Sequence, residues 1–164
     1  MVKAAVRFGT GQAITAGIIA GLLFAVFEML AAAVLMGAQA FFMPLRMIVA
    51  MVLGQAALDP GYSLVGAATA GVLVHMILSI IFAVVFAAIA PRAATTGTLI
   101  AIGIAFGVGL WLVNFYLIAP LMGWTWFPER TNPVVQFIAH AFFFGLPVAW
   151  YVGRSQPVIA DRGL

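Results

Sequence analysis

The sequence predicts an all-α integral membrane protein with four transmembrane helices and one short re-entrant or interfacial helix. Of its 164 residues, 66% are hydrophobic and only 7% are charged, whereas about 25% of a soluble domain is charged. Four apolar segments reach the ~20 residues that a helix needs to cross a bilayer. Glycines recur four residues apart within these segments, a pattern typical of membrane helices that pack closely.

The first predicted span covers residues 13–36. It follows Lys3 and Arg7 as the apolar part of a secretory signal would, but it is longer than the ~7–15 residues usual there and contains Glu28. We therefore expect it to remain as a span. The other predicted spans are residues 63–90, 97–119 and 133–152, and all four belong to a single membrane domain, residues 1–164.

Residues 44–58 are predicted to form the short helix. Pro44 stands at a first-turn position, where proline is favoured. At ~1.5 Å per residue the segment extends only about 22 Å, which is less than the ~30 Å hydrocarbon core. We expect it to be re-entrant or interfacial. The methionines at 43, 47 and 51 form a stripe four residues apart and are expected to pack rather than to bind Cu(I).

The basic residues favour four spans with both termini in the cytoplasm. In that arrangement the outer side receives only Arg46 and Arg130, and the cytoplasmic side receives Lys3, Arg7, Arg92, Arg154 and Arg162. A fifth span at residues 44–58 would divide the other basic residues equally, against the positive-inside rule. The charges are scattered singly, so no nucleic-acid partner is expected. The absence of cysteine excludes disulfides and thiolate metal sites.

Glycines define one face of several spans. Small residues four apart let helix backbones approach closely, and the same face carries Glu28 in the first span and Asn114 in the third. A shift of 86 residues superposes these two spans, which suggests an internal repeat with residues 44–58 as the stunted counterpart of the last span. The glycines expected at helix interfaces are Gly17, Gly21, Gly71, Gly103 and Gly107.

Polar side chains within the spans should point inward, because a membrane-embedded polar group is costly unless it faces a partner or water. Most of them fall in the outer half of the spans, beneath residues 44–58 and the aromatic loop 123–132. The predicted intramembrane polar seam consists of Glu28, Arg46, His75, Ser79, Asn114, Gln136 and His140.

The seam has structural and functional interpretations. Glu28 either locks the helices together, protonated or paired with Arg46, or relays protons or cations. His75 and His140 either form interhelical hydrogen bonds or ligate a b-type haem, or join Glu28 around a metal. No spacing motif accompanies the histidines, so neither a metal nor a cofactor is the leading expectation. Motifs for serine hydrolases, P-loops, dinucleotide binding and HExxH zinc sites are absent, so an enzyme is not expected.

Two stretches resemble the YagU-like family of small bacterial inner-membrane proteins. They are residues 75–83, HMILSIIFA, and residues 120–123, PLMG, with the aromatic loop and the Gln136…His140 helix that follow. The order of the spans is also similar, and the resemblance covers about two-thirds of the chain. It implies four spans in the bacterial inner membrane and a link to acid stress. The role of that family is not established, so the resemblance implies no activity.

Two functions follow as hypotheses. The sequence favours a non-catalytic accessory subunit that packs in a larger membrane complex, such as an energy-transducing one, because the chain is small with short loops and apolar outer faces. The alternative is a conduit or carrier for protons or a small solute that uses the Glu/His seam and works as a homo-oligomer. A haem-binding subunit is the third hypothesis. In each case the partners are the lipid bilayer and other membrane-protein subunits or further copies.

Overall fold

The computed structural model describes residues 9–91 and 94–154, and within them it contains helices and no strand. Four helices are long and apolar enough to cross a membrane, which confirms the predicted fold class. They are α1 (Thr10–Met36), α3 (Leu64–Ile89), α4 (Thr96–Leu121) and α6 (Pro133–Arg154). The two shorter helices are α2 (Met43–Leu53) and α5 (Trp126–Arg130).

The short helix differs from its predicted range. α2 ends at Leu53, because Gly54 adopts a φ of +83° that other residues rarely adopt, and a 3₁₀ turn over Gln55–Leu58 follows. At ~1.5 Å per residue its 11 residues extend only about 16 Å, so it is too short to cross a bilayer. The predicted cytoplasmic location of the two termini concerns residues 1–8 and 155–164, which lie outside the described residues.

Polar side chains start three of the long helices. Ser63 and Thr95 each accept a hydrogen bond from a backbone N–H in the first turn of α3 and α4. Asn132 Oδ1 accepts from the backbone N of Val134 at 2.9 Å and of Val135 at 3.3 Å, and Pro133 follows it as the first helical residue. Such caps satisfy N–H groups that the helix itself leaves unpaired.

The four long helices form a bundle of two close pairs. α1 packs against α3, α4 packs against α6, and α1 also contacts α6, while α2 lies against α3 and α1. Phe86 of α3 and Phe106 of α4 close the bundle, with ring centroids 5.4 Å apart. A core of alanine, valine, leucine and phenylalanine fills the end at the α3–α4 connection. A second cluster, around Val49 and Trp126, lies at the opposite end.

The helix pairing does not follow the predicted internal repeat. In that repeat residues 44–58 correspond to α6, so α1 and α2 should pack as α4 and α6 do. Instead the glycines Gly17 and Gly21 of α1 face α3, which has no counterpart in the repeat. The glycines Gly103 and Gly107 of α4 do face α6.

Candidate functional site

Close glycine contacts position the helices around the site. A Cβ atom on Gly17 would lie 2.7 Å from the Cα of Ile80, and one on Gly21 would lie 2.7 Å from Ser79 Oγ. Real Cβ atoms do not come this near to another heavy atom, so only glycine allows α1 and α3 to approach as they do. The consequence is that Gly21, His75 and Ser79 are brought side by side.

The α4–α6 pair is closer still. A Cβ atom on Gly107 would overlap the carbonyl oxygen of His140, and one on Gly103 would lie 2.5 Å from that of Gly145. Gly145 is therefore an interface glycine that the sequence analysis missed; it lies opposite Gly103, and only the pairing of α4 with α6 identifies it. Gly71 of α3 provides the third close approach, to the carbonyl oxygen of Leu45 in α2.

Two π-helical segments widen the helices beside the site. They are Asn114–Ile118 within α4 and Ala139–Gly145 within α6, and each ends two residues before a proline, Pro120 or Pro147. A proline has no N–H to donate, and its ring clashes with the carbonyl four residues earlier, so a wider turn just before it relieves the clash. These segments were not predicted from the sequence, and the two intrahelical prolines are the signal that points to them.

A cavity of about 710 Å³ lies at the α2 end of the bundle, between α1, α2, α3, α4, α6 and the loop before α6. Most of its wall is apolar, with phenylalanine, methionine and leucine side chains. Six of the seven residues of the predicted polar seam line it: Glu28, His75, Ser79, Asn114, Gln136 and His140.

Glu28 joins α1 to α6 within this cavity. Its side chain is only 7% exposed, and its Oε2 accepts a hydrogen bond of 2.8 Å from Gln136 Nε2. Its Oε1 is buried and has no hydrogen-bond partner in the part of the chain that the structure describes. Leaving a buried polar atom unpaired is unfavourable by about 1–3 kcal/mol. A hydrogen-bond donor that reached Oε1 would remove this penalty.

The two histidines are each fixed by a backbone carbonyl. His75 Nε2 donates to the carbonyl oxygen of Gly21 at 2.8 Å, and Ser79 Oγ lies 3.5 Å from the same nitrogen. His140 Nδ1 donates to the carbonyl oxygen of Gln136, also at 2.8 Å. Because a carbonyl oxygen can only accept, these two nitrogens are the ones that carry a proton.

The ring of Phe24 contacts both imidazoles. Its centroid is 5.4 Å from that of His75 and 4.8 Å from that of His140. A haem held by both histidines would need the space that this ring occupies. Within residues 9–91 and 94–154, no three acidic or histidine side chains are arranged to hold a metal ion. The geometry therefore favours neither the haem nor the His/His/Glu metal hypothesis.

Arg46 lies apart from the cavity, and the predicted pairing of Glu28 with Arg46 is wrong. Its Nη1 donates to the carbonyl oxygens of Ala57 at 3.1 Å and Asp59 at 2.9 Å, and its Nη2 donates to that of Tyr62 at 3.0 Å. Arg46 is 7% exposed, and its guanidinium fastens α2 to the turn that leads into α3. Arg46 is thus a structural residue, since three carbonyls take up its donors.

Two further polar residues border the cavity. Asn114 is half-buried at the start of the π segment of α4, and its amide makes no hydrogen bond within the described residues. Arg130, which the sequence analysis did not include in the seam, is exposed and lines the edge of the cavity. The helix α5, which carries Arg130, is held against α2 by Trp126, whose Nε1 donates to the carbonyl oxygen of Met47 at 3.1 Å.

No protein-family model, no curated protein and no solved structure matches this chain. The resemblance to the YagU-like family therefore stays a prediction.

Proposed function

We propose that this multi-pass membrane protein binds a small solute between its helices and acts as a carrier for it. The observation that supports this proposal is the cavity of about 710 Å³. Sites for small molecules are mostly apolar clefts of about 300–1,000 Å³ with a few convergent polar groups. The cavity has this size and this composition.

The polar groups support a solute that exchanges hydrogen bonds or protons with the protein. Glu28, Gln136 and His140 come from two different helices and meet at one wall of the cavity. Intramembrane carboxyl and imidazole groups commonly mark substrate or proton pathways. We therefore expect transport to depend on Glu28, and a coupled proton movement would suit the proposed link to acid stress.

The experiment uses purified protein in liposomes loaded with a pH-sensitive dye. A carrier should move protons or a co-supplied solute, and both Glu28→Gln and a cavity-filling Ala32→Trp substitution should abolish the movement. Ala32 lines the cavity, whereas Ala56 lies outside it and is exposed, so Ala56→Trp is the matched control and should leave transport intact. Equal transport by the wild-type and Ala32→Trp proteins would contradict the proposal.

An accessory subunit of a larger complex in the bacterial inner membrane is the second candidate. It is supported by large apolar side chains that face outward along α1, among them Leu22, Val26 and Val34, which is 81% exposed. Such a face packs equally well against lipid or against the helix of another subunit. An accessory subunit should co-purify with a fixed partner in mild detergent and should transport nothing alone.

A further inference from the structure

We propose that the solute is an amphipathic organic cation, with its ammonium group against the Glu28 carboxyl group and its apolar body against the cavity wall. This inference rests on the proposed function, because it names the kind of molecule that the cavity binds. Two independent observations support it: the unpartnered carboxyl oxygen and the apolar, partly aromatic lining.

The carboxyl group determines the head of the solute. Gln136 occupies Oε2, while Oε1 is buried and lacks a donor within the described residues. The Glu28 side chain lines the cavity. Carboxyl oxygens bind positively charged N–H donors through hydrogen bonds about twice as strong as those to neutral donors. Glu28 is also the one acid among the described residues that line the cavity. An ammonium group is the donor that complements it best.

The apolar lining of the cavity determines what the rest of the solute should be. Phe24 lies one helical turn before Glu28 on the same face of α1, and Phe115 and Phe144 also line the cavity. Aromatic faces attract cations within about 6 Å, so these rings favour an ammonium group as well as an apolar body. Met43 and Met47 line the side formed by α2, and flexible thioethers adapt to apolar groups of different shapes.

The other charged or titratable groups of the wall allow a cation to bind. His75 and His140 each satisfy a carbonyl with one nitrogen, which the neutral imidazole can do. Arg130 is the remaining basic side chain among the described residues of the wall, and it lies exposed at the edge. Exposed charges are largely screened by salt. Arg130 therefore weakens the binding of a cation only modestly, and Arg130→Gln should tighten it.

The test compares three probes that share one apolar body: 4-phenylbutylammonium, 4-phenylbutanol and 4-phenylbutyrate. Each is titrated into the full chain in detergent, and binding is followed by the fluorescence of Trp124, which lines the cavity, and by calorimetry. We expect the ammonium to bind about tenfold or more tightly than the alcohol, because a buried charge pair adds to the apolar contacts. The carboxylate should bind most weakly.

Two variants locate the effect. Glu28→Gln keeps a carbonyl oxygen for Gln136 and should reduce ammonium affinity to that of the alcohol, while alcohol affinity stays unchanged. Glu129→Gln removes the same charge from an exposed residue outside the cavity and should leave all three affinities unchanged. If Glu28→Gln does not fold, the ranking of the three probes on the wild-type protein still tests whether the cavity prefers a cation.

Any result that differs from these expected affinities contradicts the inference. Equal affinity for the ammonium and the alcohol, or equal effects of the two glutamine variants, would show that Glu28 does not select a cation. Tight binding of the carboxylate that Arg130→Gln abolishes would show an anion site. In these cases the cavity still binds a solute, so the proposed function survives. Absence of binding by all three probes also ends this inference, and the proposed function fails with it only if Ala32→Trp leaves liposome transport unchanged.

Discussion

Glu28 and Gly107 show how single residues decide both the packing and the chemistry of this molecule. Glu28 holds α6 with one oxygen, and its other oxygen is buried without a hydrogen-bond partner in the described part of the chain. Gly107 has no side chain. The space that a side chain would fill lets the backbone of α6 come close enough to α4 to set the position of His140. The position of α6 therefore depends both on the Glu28 carboxyl group and on the space left by Gly107.

Gly107→Ala should destabilise the protein by about 1–3 kcal/mol, because the added methyl group overlaps the carbonyl of His140 and forces α4 and α6 apart. Thermal unfolding in detergent measures the change. Gly109→Ala, two residues along the same helix, is the control: a Cβ there meets nothing within 4 Å. It should be neutral or stabilising by up to about 1 kcal/mol. Equal losses in both variants would contradict the close contact.

Arg46→Lys should destabilise the protein by roughly 2 kcal/mol, because one ammonium group cannot reach the three carbonyls that the guanidinium binds. Thermal unfolding should show the loss, with faster amide hydrogen exchange across residues 55–62. Arg130→Lys changes an exposed arginine that makes no ion pair in the described part of the chain, so it should stay within about 0.5 kcal/mol of the wild-type protein. A stable Arg46→Lys protein would mean that the carbonyls do not need this arginine.

At the scale of elements, the irregular parts of the helices surround the site. The π segments of α4 and α6 contain Asn114 and His140, and both segments precede prolines. π turns inside α-helices are frequent at functional sites, since the extra residue redirects side chains. The short helices α2 and α5 cover the same end of the bundle and are joined by the bond from Trp126 to Met47.

Trp126→Phe should loosen α5 from α2, because it removes the donor of that bond while keeping an aromatic ring. We expect a stability loss of about 1 kcal/mol and faster proteolysis within residues 123–132. Trp150→Phe is the matched control, since Trp150 is 45% exposed and its contact is with the Arg154 guanidinium. Cleavage of both variants at the wild-type rate would indicate that apolar packing alone holds α5.

The whole molecule combines two close helix pairs with one open end. Alanine and glycine bring α1 to α3 and α4 to α6, and apolar side chains fill the space between the pairs near the α3–α4 connection. At the α2 end the filling is incomplete, and the polar side chains gather around the cavity. A polar group there is buried yet accessible to a solute.

The transmembrane arrangement predicts which side each connection faces. The natural chain has no cysteine, so each introduced cysteine reacts alone. With four spans and cytoplasmic termini, Gln55→Cys and Thr125→Cys should react with an impermeant maleimide on intact cells. Gly97→Cys, at the exposed start of α4, should react only after the membrane is permeabilised. Labelling of position 97 on intact cells, with positions 55 and 125 reacting only after permeabilisation, would contradict this arrangement and, with cytoplasmic termini, would indicate that α2 is a fifth span.

Much of the fold was predictable because its causes are local. Each long helix begins and ends within three residues of its predicted range, since apolar length, prolines and capping residues are read directly from the chain. The polar residues that line the cavity were also expected to face inward, because the cost of exposing them to lipid depends on residue type. The partner of Arg46 was not predictable, since local carbonyls competed with Glu28 for its donors.

The sequence by itself determined that four apolar helices with inward-facing polar groups must form, because a lipid environment imposes that solution on any such chain. Only the tertiary structure decided which helices pair, that Gly145 opposes Gly103, and that Phe24 lies between the two histidines. It also decided that Glu28 binds Gln136 and borders a cavity. These features depend on how side chains from distant segments fill shared space, and shared space is a property of the packed bundle and not of any one segment.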